Sequence, residues 1–570
     1  MTVSALPSSP DALAKARWED IAPYFDDLAE RPLDETSIEG WLQAWSTLEE
    51  LVTEAAALAM IAYTIETSDP EKEADHLRFS TEVLPRMEER SVELARRLVL
   101  SGYRTPALNT TLARFRTSIE IFREANVPIF SELEELSARY QRITGSMTVE
   151  WEGQERPLPQ LQPFLKSADR GVRERAFRAA ASPYADQRDQ LAGLFDRMYE
   201  LRQRLARNAG FANFRDYIFP AKFRFDYTPA DCERFHDAIE QAVAPAVERL
   251  LAVRRRRLAL KVLRPWDLAV DPYRKAPLRP FSTTEEFVGR ARSVFGRVDP
   301  ALGSEFQTMI DERLLDLDSR KGKAPGGYCE TLHHRGRPFI FMNAVGLVDD
   351  VMTLLHEAGH AFHAFASHPL PLIWQRHPGS EAAELASMSM ELLAGAHLPQ
   401  PVGYFTPEDH RSAWLEHLED ILLSLVHIAS VDAFQTWIYT SGEGGDSAAR
   451  DAAWLRIRRR FERGVDWSGL DRERVARWYR QLHIFMYPFY YIEYGIAQIG
   501  ALQVWRNSRQ DQAGAVARYR EALALGAVRG LPEIYRAAGA ELTFDAAKIG
   551  SLVQLLESEI ERVQSELPAS

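Results

Sequence analysis

His356, Glu357 and His360 stand as HEAGH inside VMTLLHEAGHAFHAFA, residues 351–366. On a helix, two imidazoles four residues apart stack one turn apart on one face, so both can reach one metal ion. The glutamate after the first histidine is turned toward the ion's open position, where its carboxylate can take a proton from water. That is the chemistry of metal-assisted hydrolysis. Zinc suits it, because catalytic zinc takes three protein ligands and keeps one position for water. The pattern is short enough to arise by chance, so its weight depends on a third ligand.

A continuation with a third histidine on the same helix would need it at position 366, which is Ala366. His363 shares the helix face but is too close on a rigid helix to reach the same ion well. It is expected to pack behind the ligands or support them. The next acids lie in SEAAELASMSMELLAG, residues 380–395, which reads as a helix capped by Ser380 and stopped at Gly395. If this helix returns antiparallel, an early-turn carboxylate comes level with the two histidines. Glu384 is the chosen third ligand. Glu391, seven residues on and on the same face, is placed to orient a ligand histidine. Glu381 reads as an exposed first-turn acid favoured by the helix dipole.

The elements around these residues read mostly as helix. Apolar residues recur at three- and four-residue spacing over 84–99, 186–206, 228–263, 411–439 and 547–563. Asp349 or Asp350 can cap the HEAGH helix. Two hairpins are expected: one over 147–158, and one over 328–343 with its turn at Arg335-Gly336. The second lies just before the HEAGH helix. No repeat and no flexible linker divides the chain.

Four motifs together resemble the thimet oligopeptidase and oligoendopeptidase F family of zinc peptidases, in its oligoendopeptidase F branch. They are HEAGHAFH followed by ELASMSME; SMTVEWEGQERPLPQLQPFLKSADRGVRERAFRA; GGYCETLHHRGRPFIFMN; and HIFMYPFYYIEYG. The similarity runs from about residue 115 to the end. It implies a mainly α, neurolysin-like, two-lobed helical body with a deep central channel and a small β-sheet beside the zinc helix. The regions expected are an N-terminal helical region (1–110), an oligoendopeptidase F-type subdomain (111–205) and the catalytic domain (206–566), packed as one continuous body.

The resemblance carries over His356, His360 and Glu384 as ligands of one zinc ion and Glu357 as general base. It also assigns roles to His483 and the tyrosines after it. By spacing alone His483, Tyr487, Tyr491 and Tyr494, with Tyr490 nearby, read as a core stripe broken at Pro488. By resemblance they contact substrate and transition state: His483, Tyr491 and Tyr494 in catalysis, Tyr487 and Tyr490 in binding. Gly326, Gly327 and Tyr328, otherwise a plain surface hairpin, become a strand edge on which an extended peptide can lie.

Composition narrows the alternatives. Among 570 residues, 69 basic and 82 acidic side chains leave a net charge of −13, a poor match to nucleic acid or anionic membrane. The arginine runs at 254–257 and 456–460 read as solvated helix faces. Two cysteines suit a reducing compartment, and the N-terminal stretch lacks a basic start followed by an apolar run. The expectation is a cytoplasmic zinc oligoendopeptidase acting on short peptides. The competing readings are a metallocarboxypeptidase of similar helical fold and a non-catalytic helical peptide-binding protein.

Overall fold

The computed structural model describes residues 6–274 and 277–567. The first five residues of the N-terminal stretch scanned above lie outside the described residues. The chain is mainly α, as expected, and its described residues contain two small sheets.

β1 (Thr148–Trp151) and β2 (Gln154–Pro157) form the first expected hairpin, with Trp151 opposite Gln154. The second sheet holds β3 (Leu315–Asp318), β4 (Tyr328–Leu332) and β5 (Arg337–Ala344), in the order β3-β5-β4. β4 and β5 are the second expected hairpin, and β4 is an edge strand. β3 runs parallel to β5 and was not expected. Its four residues, Leu-Asp-Leu-Asp, are too short and too poor in β-formers to signal a strand.

Contacts divide the chain into two compact units. The first comprises Met1–Ile121, Leu278–His410 and Gly500–Leu542; the second comprises Phe122–Pro277, Arg411–Ile499 and Thr543–Ser570. In the first, the HEAGH helix (Val348–Ser367) packs against β4, β5 and the helix Ser380–Ala394. A separate apolar core gathers around the long helix Ile38–Ile65, where Trp45 meets Phe115 and Trp374.

Both helices of the HExxH region start differently from the expectation. The HEAGH helix begins at Val348, with Leu347 extended before it. Asp350 acts from inside the first turn, accepting hydrogen bonds from the Val345 and Leu347 amides at 2.8 Å each. A carboxylate there satisfies otherwise unpaired amides and complements the helix dipole. Ser380 is itself helical, so the extended residue before it, Gly379, is the cap. The helix expected over 228–263 stops at Arg257. Ala259 takes a positive φ of 51°, while the Ala259 and Leu260 amides close back on Arg256 and Arg255. This closure normally uses glycine, so its alanine gave no stop signal.

The arginine runs are not simple solvated faces. Arg458 is 2% exposed and paired with Glu462. Arg254 donates to the Leu268 and Val270 carbonyls and pairs with Glu419. Among the described residues, one helix, Pro407–Thr440, is long and apolar enough to cross a membrane by length and composition; 72% of its apolar window is buried within the protein, as for a core helix.

His333, in the β4–β5 turn, supplies a pH-sensitive element of the first unit. It is 8% exposed, with its ring 4.3 Å from that of His377. Burial foremost, then His377, Arg376 and His368, push its pKa down from 6.5 to about 2. The folded chain therefore holds it neutral, while the unfolded chain protonates it below its ordinary value. Stability is full above pH 6.5 and falls as pH drops below it, by about 1.4 kcal/mol per pH unit for one such group. In thermal melts between pH 6.5 and 5, His333→Gln is expected to lose about 2 kcal/mol less than the wild type. Equal slopes for the two proteins would remove His333 from the acid response.

Candidate metal centre and a histidine-tyrosine cluster

His356 and His360 present their rings from adjacent turns, with centroids 5.0 Å apart. Glu384 Oε2 lies 3.3 Å from His356 Nε2 and 3.8 Å from His360 Nε2. One donor atom from each of these residues falls within 4.8 Å of the others, a set that could hold a metal ion. Ligands about 2.1 Å from a tetrahedral ion are roughly 3.4 Å from one another, so the separations fit a zinc-sized cation. His356 Nδ1 is 2.7 Å from Glu391 Oε1. A proton held there by Glu391 leaves the Nε2 lone pair for a metal.

The charge balance points the same way. Burial opposes a charge on His356, yet Glu384 and Glu391, one on each ring nitrogen, raise its pKa. His360 carries no such pair, and burial lowers it to about 4. Glu357 is 8% exposed, and burial pushes its carboxyl up to about 7. The Cys329 amide on β4 acts against that rise, favouring the ionised form. Three carboxylates around two imidazoles are an electrostatic environment that a dication relieves.

Helix packing sets this geometry. The pairings 356 with 391, 359 with 387 and 360 with 384 run in opposite senses along the two helices, which are therefore antiparallel at the site. They cross at Gly359. A Cβ there would lie 2.5 Å from Ser387 Cα and 2.7 Å from the Ala386 carbonyl oxygen. Only glycine lets the helices approach closely enough for Glu384 to reach both histidines. Tyr519 holds the crossing from behind by donating to the Ala386 carbonyl at 2.9 Å. Gly359→Ala is expected to cost about 1–3 kcal/mol of stability by overpacking and to weaken metal binding. Melting with and without added metal checks both; unchanged metal affinity would show that the crossing does not set the ligand geometry.

The remaining expected residues take these positions. Glu381, 6% exposed, is buried rather than exposed as read from sequence, and its charge acts on Arg114. His363 is buried, and its Nε2 has no hydrogen-bond partner among the described residues. Tyr328 shares a hydrogen bond with Thr64 at 2.6 Å and stacks on Phe341. Gly326 and Gly327 are exposed just before β4, and Asn343 donates to the Gly326 carbonyl at 2.9 Å.

In the second unit, His483 sits on the short helix Leu482–Met486. Tyr487 ends that turn, Phe489 takes a positive φ of 63°, and a new helix runs Tyr491–Ser508. Pro488 accounts for the break, since it lacks an amide donor and disfavours helix at Tyr487. The break folds the stripe into a cluster. The rings of Tyr491, Tyr490, Tyr487 and Tyr494 lie 4.8, 6.0, 6.1 and 6.2 Å from that of His483. Sequence reading missed the cluster's supports, Gln481 and His427, because nothing marks a glutamine or a mid-helix histidine in isolation.

The sequence model of peptidase family M3 matches residues 164–552, and the model of the peptidase M3 N-terminal domain matches residues 12–126. The chain belongs to peptidase family M3. Its relatives include oligopeptidase PepF of Bacillus subtilis (strain 168), 23% identical over 412 residues. That match covers 70% of this chain and 58% of the Bacillus protein, so the chain spans about three-fifths of that relative's length. Among solved structures, PZ peptidase A with an inhibitor superposes with a TM-score of 0.87 at 28% identity, covering 98% of each chain. A protein assigned as an oligoendopeptidase F superposes with a TM-score of 0.88 at 28% identity, covering 96% of this chain and 97% of that one.

Proposed function

We propose that this M3 chain is a zinc-dependent oligoendopeptidase that cuts internal bonds of short peptides in the cytoplasm. The observation that carries the reading is the convergence of His356, His360 and Glu384 beside the buried carboxyl of Glu357. The oligopeptidase and oligoendopeptidase relatives support the substrate class.

When bound by His356, His360 and Glu384, zinc would supply a Lewis acid that makes water nucleophilic near neutral pH and polarises the scissile carbonyl. Glu391 keeps the His356 proton on Nδ1. Glu357, steadied by the Cys329 amide, takes a proton from water as its oxygen bonds to the carbonyl carbon. It passes that proton to the amide nitrogen as the C–N bond breaks, so an acid and an amine leave and Glu357 returns to its first state. The edge of β4, led by Gly326, Gly327 and Tyr328, pairs with the substrate backbone as an added strand. By the family resemblance His483, Tyr491 and Tyr494 are assigned to stabilising the oxyanion, and Tyr487 and Tyr490 to holding the peptide. Each such donor is worth about 3 kcal/mol when pre-positioned.

The test is hydrolysis of fluorogenic peptides blocked at both ends. Chelator should abolish cleavage, and zinc should restore it. Cleavage only of peptides with a free C-terminus would favour a carboxypeptidase instead. No stoichiometric zinc together with no chelator-sensitive hydrolysis would favour a binding protein.

A further inference from the structure

A hydrogen-bonded chain within the second unit runs from a buried arginine to the histidine-tyrosine cluster. Arg458 pairs with Glu462, which also holds Arg474. Arg458 Nη1 lies 3.0 Å from His427 Nδ1, and His427 Nε2 lies 3.0 Å from Gln481 Oε1. Gln481 Nε2 lies 2.6 Å from the Tyr491 hydroxyl and 3.3 Å from His483 Nδ1. The His427 and Tyr491 rings are also in edge contact, 5.5 Å between centroids.

Donor and acceptor chemistry gives this chain one direction. Arginine only donates, so His427 Nδ1 must accept. In a neutral imidazole the other nitrogen then carries the hydrogen, so His427 Nε2 donates to Gln481 Oε1. Burial and the charges of Arg458 and Arg477 keep His427 neutral, holding its pKa down at about 3. With its oxygen committed to His427, Gln481 turns both N–H bonds the other way, one to the Tyr491 hydroxyl and one to His483 Nδ1. An Nδ1 that accepts carries no proton in the neutral ring, so the His483 proton sits on Nε2. Tyr491, having accepted from Gln481, directs its own hydrogen elsewhere.

We propose that Gln481, oriented by Arg458 through His427, is a positioning residue that locks His483 in its Nε2–H tautomer and aims His483 and Tyr491 as paired donors. This rests on the reading of His483 and Tyr491 as oxyanion donors given above. The same side chains in the opposite polarity would present His483 with an acceptor at Nε2, which repels a developing oxyanion. Gln481 acts through His483 and Tyr491.

The decisive variant is Gln481→Glu, which keeps the size and the acceptor toward His427 but loses both N–H donors. In the zinc-loaded full-length protein, kcat on a doubly blocked peptide should fall about 10²-fold with KM within about threefold. Proton-nitrogen spectra of histidine-labelled protein, with the His483 signals assigned by their loss in His483→Ala, should show its proton on Nε2 in the wild type and moved from there in Gln481→Glu. A second link checks the chain without touching Gln481. His427→Gln keeps an acceptor and a donor, so it should lose less kcat than His427→Phe. A wild-type His483 proton on Nδ1, or a Gln481→Glu kcat within about threefold of wild type, would overturn the proposal. Loss of activity in His483→Ala with none in Gln481→Glu would sink the relay alone. No loss in His483→Ala would sink the oxyanion reading and the relay with it.

Discussion

Glu357→Gln is expected to lower kcat on a blocked fluorogenic peptide by about 10³-fold or more, with zinc content and KM near wild type. The amide matches the carboxylate in shape and still offers an oxygen to the Cys329 amide, so the neighbouring ligands need not move. What it lacks is proton affinity. In the proposed mechanism Glu357 has two tasks, taking a proton from water and giving it to the amine, and an amide does neither. Burial raises the proton affinity of this carboxyl, and a base that bound protons too weakly would fail the first task. Metal analysis alongside kinetics separates lost chemistry from lost metal. A zinc-loaded variant within tenfold of wild type would remove Glu357 from proton transfer.

The second large effect is expected at the third ligand. Glu384→Ala removes one donor of three, while the Ser387 hydroxyl, 3.1 Å from Glu384 Oε2, keeps its bond to the main-chain carbonyl of residue 384 at 3.0 Å. Zinc affinity should fall by more than the 10- to 100-fold typical of disturbing a group that merely supports a ligand. Activity at limiting zinc should vanish. Glu381→Ala is the control, because Glu381 stands one turn earlier on the same helix and acts on Arg114 instead. Titration of both variants with zinc against a competing chelator checks the pair. Zinc retained in Glu384→Ala but lost in Glu381→Ala would reverse the ligand assignment.

Local patterns carried much of this architecture. The HEAGH helix, the helix bearing Glu384 and the β4–β5 hairpin each have a periodicity or β-former run that tertiary packing did not need to override. Glu391 could be placed because seven residues on one helix leave little freedom. Features that depended on distant partners were hidden. Gly359 is an ordinary glycine until Ser387 is seen against it. Arg458 counts as one of several arginines until burial and His427 distinguish it. The end of the helix at Arg257 was invisible because an alanine occupies the left-handed position. The tyrosine stripe looked helical because its spacing is, yet Pro488 and Phe489 fold it into a ring around His483.

The composition of the first unit bears on how the protein is made. His356, His360 and Glu384 lie in its middle segment, Leu278–His410, while Tyr519 arrives with Gly500–Leu542. A chain emerging from the ribosome thus exposes all three proposed metal ligands more than a hundred residues before the helix that braces them. During that interval β4 and β5 already pack against the HEAGH helix, but the Ala386 carbonyl lacks the Tyr519 hydroxyl that braces the crossing in the finished fold.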